Sequence, residues 1–242
     1  MSNIDLNSPI PKYYQLKEII RDMIEKDELG VGQAIPAENA LSEEYGVSRM
    51  TTRRAIVELV NEGLLYRVQG LGTFVAEPKV RQGTGRLTSF TQDMRERGMR
   101  ASSKVLEVGV EGAGPVVARM LRIDPGDRIV RVRRVRNADD KPMALETSHL
   151  LYDVGKGVLE ANLATCSLYE ELGRTGLRIA TAEQSYEAVL VSEEESGHLG
   201  VPVGSPALLL ERVTCDATER PFEYVKSVYR ADRYRITATL SS

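Results

Sequence analysis

The feature that most constrains this chain is the way glycines punctuate short apolar patterns between residues 12 and 76. Tyr13, Leu16, Ile20 and Ile24 recur at helical spacing after Pro9 and Pro11, and the pattern stops at Leu29-Gly30. A first amphipathic helix is therefore predicted over 12 to 28. A second pattern starts at Pro36, a favourable first-turn residue, and runs through Ala40, Leu41 and Tyr45 to Gly46. The third begins after Ser48 as N-cap and buries Ile56, Leu59 and Val60 before Gly63. Leu64 to Val68 and Thr73 to Ala76 read as strands, and Gln69-Gly70-Leu71-Gly72 between them is rich enough in glycine to close a hairpin. Three helices, two of them meeting across Gly46-Val47, followed by a hairpin predict a winged helix-turn-helix.

Residues 77 to 86 are polar, contain Pro78, Gly83 and Gly85 and show no apolar period, so they read as an exposed linker. Downstream, strand-like runs are predicted at 104 to 110, 116 to 122, 128 to 136, 142 to 150, 184 to 191, 207 to 216, 221 to 230 and 233 to 240. Helical patterns interrupt them at 89 to 97, 167 to 174 and 193 to 199. Turn signals such as Asp124-Pro125-Gly126-Asp127 and Asn137-Ala138-Asp139-Asp140 follow the runs closely, which favours antiparallel hairpins over parallel crossovers. The expected organisation is a first domain over 1 to 76, a linker over 77 to 86 and an α+β second domain over 87 to 242.

Composition narrows the function. Apolar residues make up 42% of the 242 and charged residues 28%, the balance of a soluble globular chain. The longest apolar stretches, such as Leu208-Leu209-Leu210, fall far short of the ~20 residues of a membrane span. The polar start Met1-Ser2-Asn3 lacks a signal peptide's regions, so a cytoplasmic protein with no membrane partner is expected. Cys166 and Cys215 are expected to be reduced, and His149 and His198 have no further ligands at zinc spacing, so neither metal nor cofactor is expected. A net charge of -3 argues against nucleic-acid binding by bulk positive charge. Local charge differs: residues 1 to 46 hold four Lys/Arg and nine Asp/Glu, whereas 47 to 76 hold Arg49, Arg53, Arg54 and Arg67 against Glu58 and Glu62.

Arg49 and Arg53 are four apart on the third helix and share a face, with Thr52 beside them, while Ile56, Leu59 and Val60 turn away. Free N–H groups and hydroxyls at such a helix start, with Ser48 and Thr51, suit phosphates, and an arginine fork suits guanine O6 and N7. A solvated helix face is the alternative. The run from Val47 to Ile56, with Pro36-Ala37-Glu38, Glu62-Gly63-Leu64 and Gly70 to Val75, resembles the DNA-binding domain of GntR-family transcriptional regulators. The resemblance implies that Arg49 and Arg53 reach the major groove, Ser48 and Thr51 hold phosphates, and the Gly70 to Gly72 wing tip lies near the minor groove. The chain departs from many relatives at Asn39, where Arg is common, and at Leu71, where a basic residue is common.

In the strand over 128 to 136, alternation puts Val130, Val132, Arg134 and Arg136 on one face. Two guanidinium groups in an apolar row need partners, either tertiary carboxylates or an external anion such as a phosphate. Glu146 interrupts the apolar run Met143-Ala144-Leu145, and Glu223 shares parity with Val225, Ser227 and Tyr229. Ser89 and Ser167 open helical runs, either as simple N-caps or where backbone N–H groups favour an anion. Leu87 to Met94, Arg134-Val135-Arg136, Pro142 to Glu146, Ser167-Leu168-Tyr169 and Pro221 to Tyr224 resemble the UTRA effector-binding domain of the HutC subfamily. That domain is similar in fold to chorismate lyase. The resemblance implies that Phe90, Thr91, Arg134, Arg136 and Ser167 cradle a phosphate and that Glu146, Tyr169, Glu223 and Tyr229 face a sugar.

Together the two resemblances imply a homodimeric transcription factor on palindromic operator DNA. It would repress carbohydrate uptake or catabolism genes in response to a phosphorylated sugar such as glucosamine-6-phosphate or N-acetylglucosamine-6-phosphate. Alternatives are the same regulator responding to a non-sugar metabolite such as urocanate, a second domain that only dimerises, or an enzyme of lyase type. Against an enzyme, the sequence shows no Ser/His/Asp order, P-loop or dinucleotide fingerprint.

Overall fold

The structure, a computed structural model, describes residues 4–5, 8–77, 79–83 and 87–237. It divides into two compact units, one up to Lys79 and one from Val80 onward.

In the first unit, α1 (Lys12–Glu25) buries Leu16 and Ile20, α2 (Glu38–Glu44) buries Leu41, and α3 (Arg49–Asn61) buries Ala55, Ile56 and Leu59. Gly46 sits at φ 62°, a left-handed conformation that costs a glycine nothing, and so turns the chain sharply between α2 and α3. Strands β1 (Leu65–Val68) and β2 (Gly72–Val75) pair antiparallel with Leu65 opposite Val75, which places both side chains in the same core. Lys17 bonds Glu62 at 3.0 Å and Arg21 bonds the same carboxylate at 2.5 Å, tying α1 to the end of α3. The unit is the winged helix-turn-helix expected.

The second unit is built on a six-stranded antiparallel sheet in the order β4-β5-β6-β9-β8-β7. These strands are β4 (Ala101–Gly112), β5 (Arg128–Ala138), β6 (Lys141–Leu151), β7 (Ile179–Leu190), β8 (Pro206–Asp216) and β9 (Pro221–Arg230). Its helices are α4 (Phe90–Glu96), α5 (Pro115–Leu121), α6 (Tyr152–Gly155), α7 (Leu168–Arg174) and α8 (Glu193–Leu199), with a 3-10 turn over Lys156–Glu160. Gly155 is demanded by packing, since a Cβ there would lie 2.8 Å from Leu150 Cβ and 2.9 Å from Val130 Cβ.

Two expectations are corrected. Residues 116 to 122 are not a strand: Pro115 starts α5 behind the N-cap Gly114, and Ala118 and Leu121, three apart, face the core. The β-branched pair Val116-Val117 imitates a strand, but a proline at a helix start and an i, i+3 apolar pair outweigh it. Within the expected linker, Val80–Gly83 forms a strand, β3, paired in parallel with β10 (Tyr234–Thr237). A four-residue partner strand needs no apolar period of its own when the backbone supplies the bonds. Pro78, residues 84 to 86 and the expected last strand beyond Thr237 lie outside the described residues.

Candidate functional site

On α3, Ser48 caps the helix by accepting from the Thr51 N–H at 3.2 Å, and its Oγ lies 2.8 Å from Thr51 Oγ1. Arg49 and Arg53 are exposed and, among the described residues, make no ion pair. Arg54 is engaged instead, stacked 3.7 Å over the Tyr13 ring and 3.5 Å from Glu58. Gly70 and Gly72, at φ 77° and 131°, form the exposed tip of the β1–β2 hairpin with Leu71, and Asn39 is exposed on α2. Thr52 breaks from the expected polar face. It is fully buried, and its hydroxyl donates to the Ser48 carbonyl at 3.4 Å, because it stands three, four and seven residues before Ala55, Ile56 and Leu59 on the core side.

In the second unit the sheet register gathers polar side chains into rows. Arg134 of β5 pairs with Glu146 of β6, which pairs with Ser227 of β9, and the next row runs Arg136, Ala144, Tyr229. On the other side of Glu146, Ser148 pairs with Val225, and Val225 with Arg212 of β8. Thr88 to Thr91 at the start of α4 and Ser167 to Tyr169 at the start of α7 complete the walls of one cavity of about 40 Å³. All nine residues expected to meet a small molecule line it: Phe90, Thr91, Arg134, Arg136, Glu146, Ser167, Tyr169, Glu223 and Tyr229. A wider cleft of about 530 Å³, bounded by Gln92, Arg95 and Glu170, shares Ser89, Ser167 and Tyr169 with it, so these three form the partition between them.

The cavity is dominated by buried charge. Arg134 Nη2 donates to Glu146 Oε1 at 2.5 Å, Arg136 Nη1 reaches the same oxygen at 3.4 Å, and Arg136 Nη2 donates to Thr91 Oγ1 at 3.1 Å. The Arg136 guanidinium also stacks 4.6 Å above the Phe90 ring. Even so, the Nε and Nη1 of Arg134 and the Nε of Arg136 are buried without a protein acceptor. Burial, with the neighbouring Arg134 charge, depresses the Arg136 pKa to about 10, so it remains a cation at neutral pH. For Glu146, burial favours the neutral acid, but the Arg136 and Arg134 charges outweigh it and hold the carboxyl below its ordinary value.

A second carboxylate behaves oppositely. Glu223 Oε2 accepts from Tyr169 OH at 2.7 Å and from Thr214 Oγ1 at 3.2 Å. Burial raises its pKa, these hydrogen bonds offset that only in part, and the nearby Glu146 charge adds to it. Arg212, overlooked in the sequence, donates to Gln184 Oε1 at 2.5 Å and to the Thr88 carbonyl at 3.4 Å, fixing the approach to α4. Its signal was present: Leu208, Leu210 and Arg212 share parity on β8 as Val130, Val132 and Arg134 do on β5. Ser148 and Ser227 likewise share parity with Glu146 and Glu223 and also line the cavity. Tyr234 stacks on Tyr229 at 4.1 Å between ring centroids and completes the wall.

Residues 12–75 match the family described as bacterial regulatory proteins, gntR family, and residues 96–235 match the UTRA domain. The chain belongs to the GntR family. Its order of winged helix-turn-helix and UTRA domain is that of HutC-type members, and it is a DNA-binding transcriptional regulator with an effector domain. The GntR relatives include the HTH-type transcriptional repressor NagR of Bacillus subtilis, 40% identical over 96% of both chains. The mannosyl-D-glycerate transport/metabolism system repressor MngR of Escherichia coli is 35% identical over 94% of this chain and 95% of its own. Among solved structures, PhnF from Mycobacterium smegmatis superposes with a TM-score of 0.68 at 30% identity, covering 94% of this chain and 99% of that one. Among the described residues of this GntR regulator, no helix is long and apolar enough to cross a membrane, and no group of three or more His, Cys, Asp or Glu is placed to hold a metal ion.

Proposed function

We propose that this regulator is a homodimeric cytoplasmic repressor of carbohydrate, specifically amino-sugar, uptake or catabolism genes, released from its operator by a phosphorylated sugar such as glucosamine-6-phosphate or N-acetylglucosamine-6-phosphate. The observation that carries the ligand class is the pair Arg134 and Arg136, buried side by side with three guanidinium nitrogens lacking a protein acceptor. Each unmet buried donor costs about 1–3 kcal/mol, and a phosphate, with its several acceptor oxygens, recovers that cost in one binding event. Thr91, Phe90 and Ser167 stand beside the arginines to complete a phosphate cradle. Glu146, Glu223, Tyr169 and Tyr229 offer the mixed acceptors and donors that a sugar's hydroxyl or amine groups require. The similarity to MngR, a repressor of a mannosyl-D-glycerate transport and metabolism system, supports a sugar over other metabolites.

A cavity of about 40 Å³ holds only a few waters, since each needs roughly 10–15 Å³ of such space. A sugar phosphate must therefore part the walls, and the Ser89–Ser167 partition, held by one 3.4 Å hydrogen bond, is the way in from the outer cleft. Binding in this reading favours a dimer geometry in which the two recognition helices no longer match half-sites ~34 Å apart. A tenfold loss of operator affinity requires only ~1.4 kcal/mol of coupling. On the DNA side, Arg49, Arg53, Ser48 and Thr51 meet the major groove, Gly70 and Gly72 carry the wing to the minor groove, and Asn39 faces the backbone. Thr52 supports the helix from within.

The test is thermal unfolding of the full chain against glucosamine-6-phosphate, N-acetylglucosamine-6-phosphate, trehalose-6-phosphate, urocanate and unphosphorylated sugars. A ligand at a hundred times its dissociation constant stabilises by about 2.7 kcal/mol. Stabilisation by a phosphorylated amino sugar, accompanied by weaker operator binding, is the expected result. Stabilisation by urocanate alone, or by no phosphorylated compound, would overturn the reading.

A further inference from the structure

The two arginines already carry a carboxylate. Glu146 is the direct cross-strand partner of Arg134 in the β5–β6 ladder, so the backbone register holds it against that guanidinium. One of its oxygens lies 2.5 Å from Arg134 Nη2 and 3.4 Å from Arg136 Nη1, and the residue is 8% exposed. The other cavity carboxylate, Glu223, takes its hydrogen bonds from the neutral hydroxyls of Tyr169 and Thr214. Only Glu146 among the cavity's acidic residues is bonded to the arginine pair; Asp93 is paired at 2.5 Å with Arg97 on its own helical turn.

We propose that Glu146 is a specificity-determining residue, an internal counter-ion that withholds Arg134 and Arg136 from free inorganic phosphate and yields them only to a phosphate ester carrying hydroxyl or amine donors. The inference rests on reading the cavity as a phosphorylated-sugar site. Inorganic phosphate entering the cradle must either sit beside an ionised carboxylate in a buried cavity, where like charges repel strongly, or displace it from both guanidinium groups. The only donor it offers Glu146 in return is its own P–OH, held on the very anion that the carboxylate repels. A sugar phosphate brings its phosphate to the arginines and, from the same molecule, O–H or N–H groups that the displaced carboxylate accepts. Selectivity then comes from a penalty built against the simpler anion as much as from contacts to the ester. A sensor of a sugar phosphate needs such a device, because inorganic phosphate is present wherever its ester is made or broken down.

The experiment is calorimetric titration of the full chain and of Glu146→Gln with inorganic phosphate and, separately, with glucosamine-6-phosphate, at constant ionic strength. The variant is expected to bind inorganic phosphate at least about tenfold more tightly than the wild type and glucosamine-6-phosphate more weakly, so that the preference for the ester collapses. Unchanged or weaker phosphate binding in a cooperatively folding Glu146→Gln overturns the proposal. Should that variant not fold, Glu146→Asp keeps the charge but shortens its reach by one methylene, and the same gain in phosphate binding, smaller in size, is expected; no gain overturns it. If the wild type takes no phosphorylated sugar while the variant still gains phosphate, the sugar reading fails and the guard stands.

Discussion

Arg49 and Arg53, four apart on α3, and Arg134 and Arg136, two apart on β5, are the same residue type paired on one face of their element, yet their surroundings are opposite. The first pair is exposed over an apolar helix base and forms no ion pair among the described residues. The second is 2% and 3% exposed and shares one carboxylate. Solvated charge contributes little to folding and is screened beyond roughly 8 Å at physiological ionic strength, so the helix pair is free to serve binding alone. Buried charge is scarcely screened and is bound up with the fold, so the strand pair serves stability and recognition together.

Arg134→Ala is the most severe way to test that contrast. It removes the shorter of Glu146's two arginine contacts, leaving only Arg136 at 3.4 Å, and breaking a buried pair costs about 3–5 kcal/mol. The melting temperature should fall on the order of 10 °C, by calorimetry, and stabilisation by any phosphorylated ligand should vanish. Arg53→Ala should leave folding within about 0.5 kcal/mol and cost about 1–3 kcal/mol of operator affinity if it reads a base, with a salt slope smaller by about one if it holds a phosphate. Anisotropy titrations over several salt concentrations read both. An Arg53→Ala protein that melts as early as Arg134→Ala, or binds its operator undiminished, would break the comparison.

The smallest effect lies with Glu223. Its folded-state pKa is raised by burial, so the folded protein holds that proton more tightly than the unfolded chain does. Stability should decline as pH rises from the ordinary carboxyl value of 4.5 through the raised one, and then level off. Both hydroxyl donors bond the same oxygen, Oε2, which the amide oxygen of Glu223→Gln replaces. The variant should therefore match the wild type in acid and exceed its stability at neutral pH, measured by urea unfolding over a pH series. Parallel curves at all pH values would mean that Glu223 is not strained in the fold.

Much of this was legible in the sequence, and the failures have physical causes. Period-two alternation placed Val130, Val132, Arg134 and Arg136 on one face, and the buried row they form agrees. The partner of Arg134 was not legible, because the β5–β6 register shifts by one between Arg136 and Asn137. Without that bulge Arg134 would face Leu145, and no count from the turn reveals which residue is inserted. Thr52 shows the reverse case. Its spacing to Ala55, Ile56 and Leu59 marked it as a core position, but a hydroxyl between two arginines suggested a polar face. Arg212 was missed because, directly after Glu211, it reads as half of an exposed charged pair, although its parity with Leu208 and Leu210 was that of the cavity wall.

The parallel pairing of Val80–Gly83 with Tyr234–Thr237 also sets an order of events during synthesis. The winged unit precedes β3 in the chain, and its elements are all present once the ribosome has passed Lys79. β3, however, has no partner until β10 is made, roughly 150 residues later. At about 5–20 residues per second that is on the order of ten to thirty seconds. For that interval every element of the winged unit has been made while β3 is unpaired, so among the described residues the last strand made, β10, is the one that pairs the segment immediately following the winged unit.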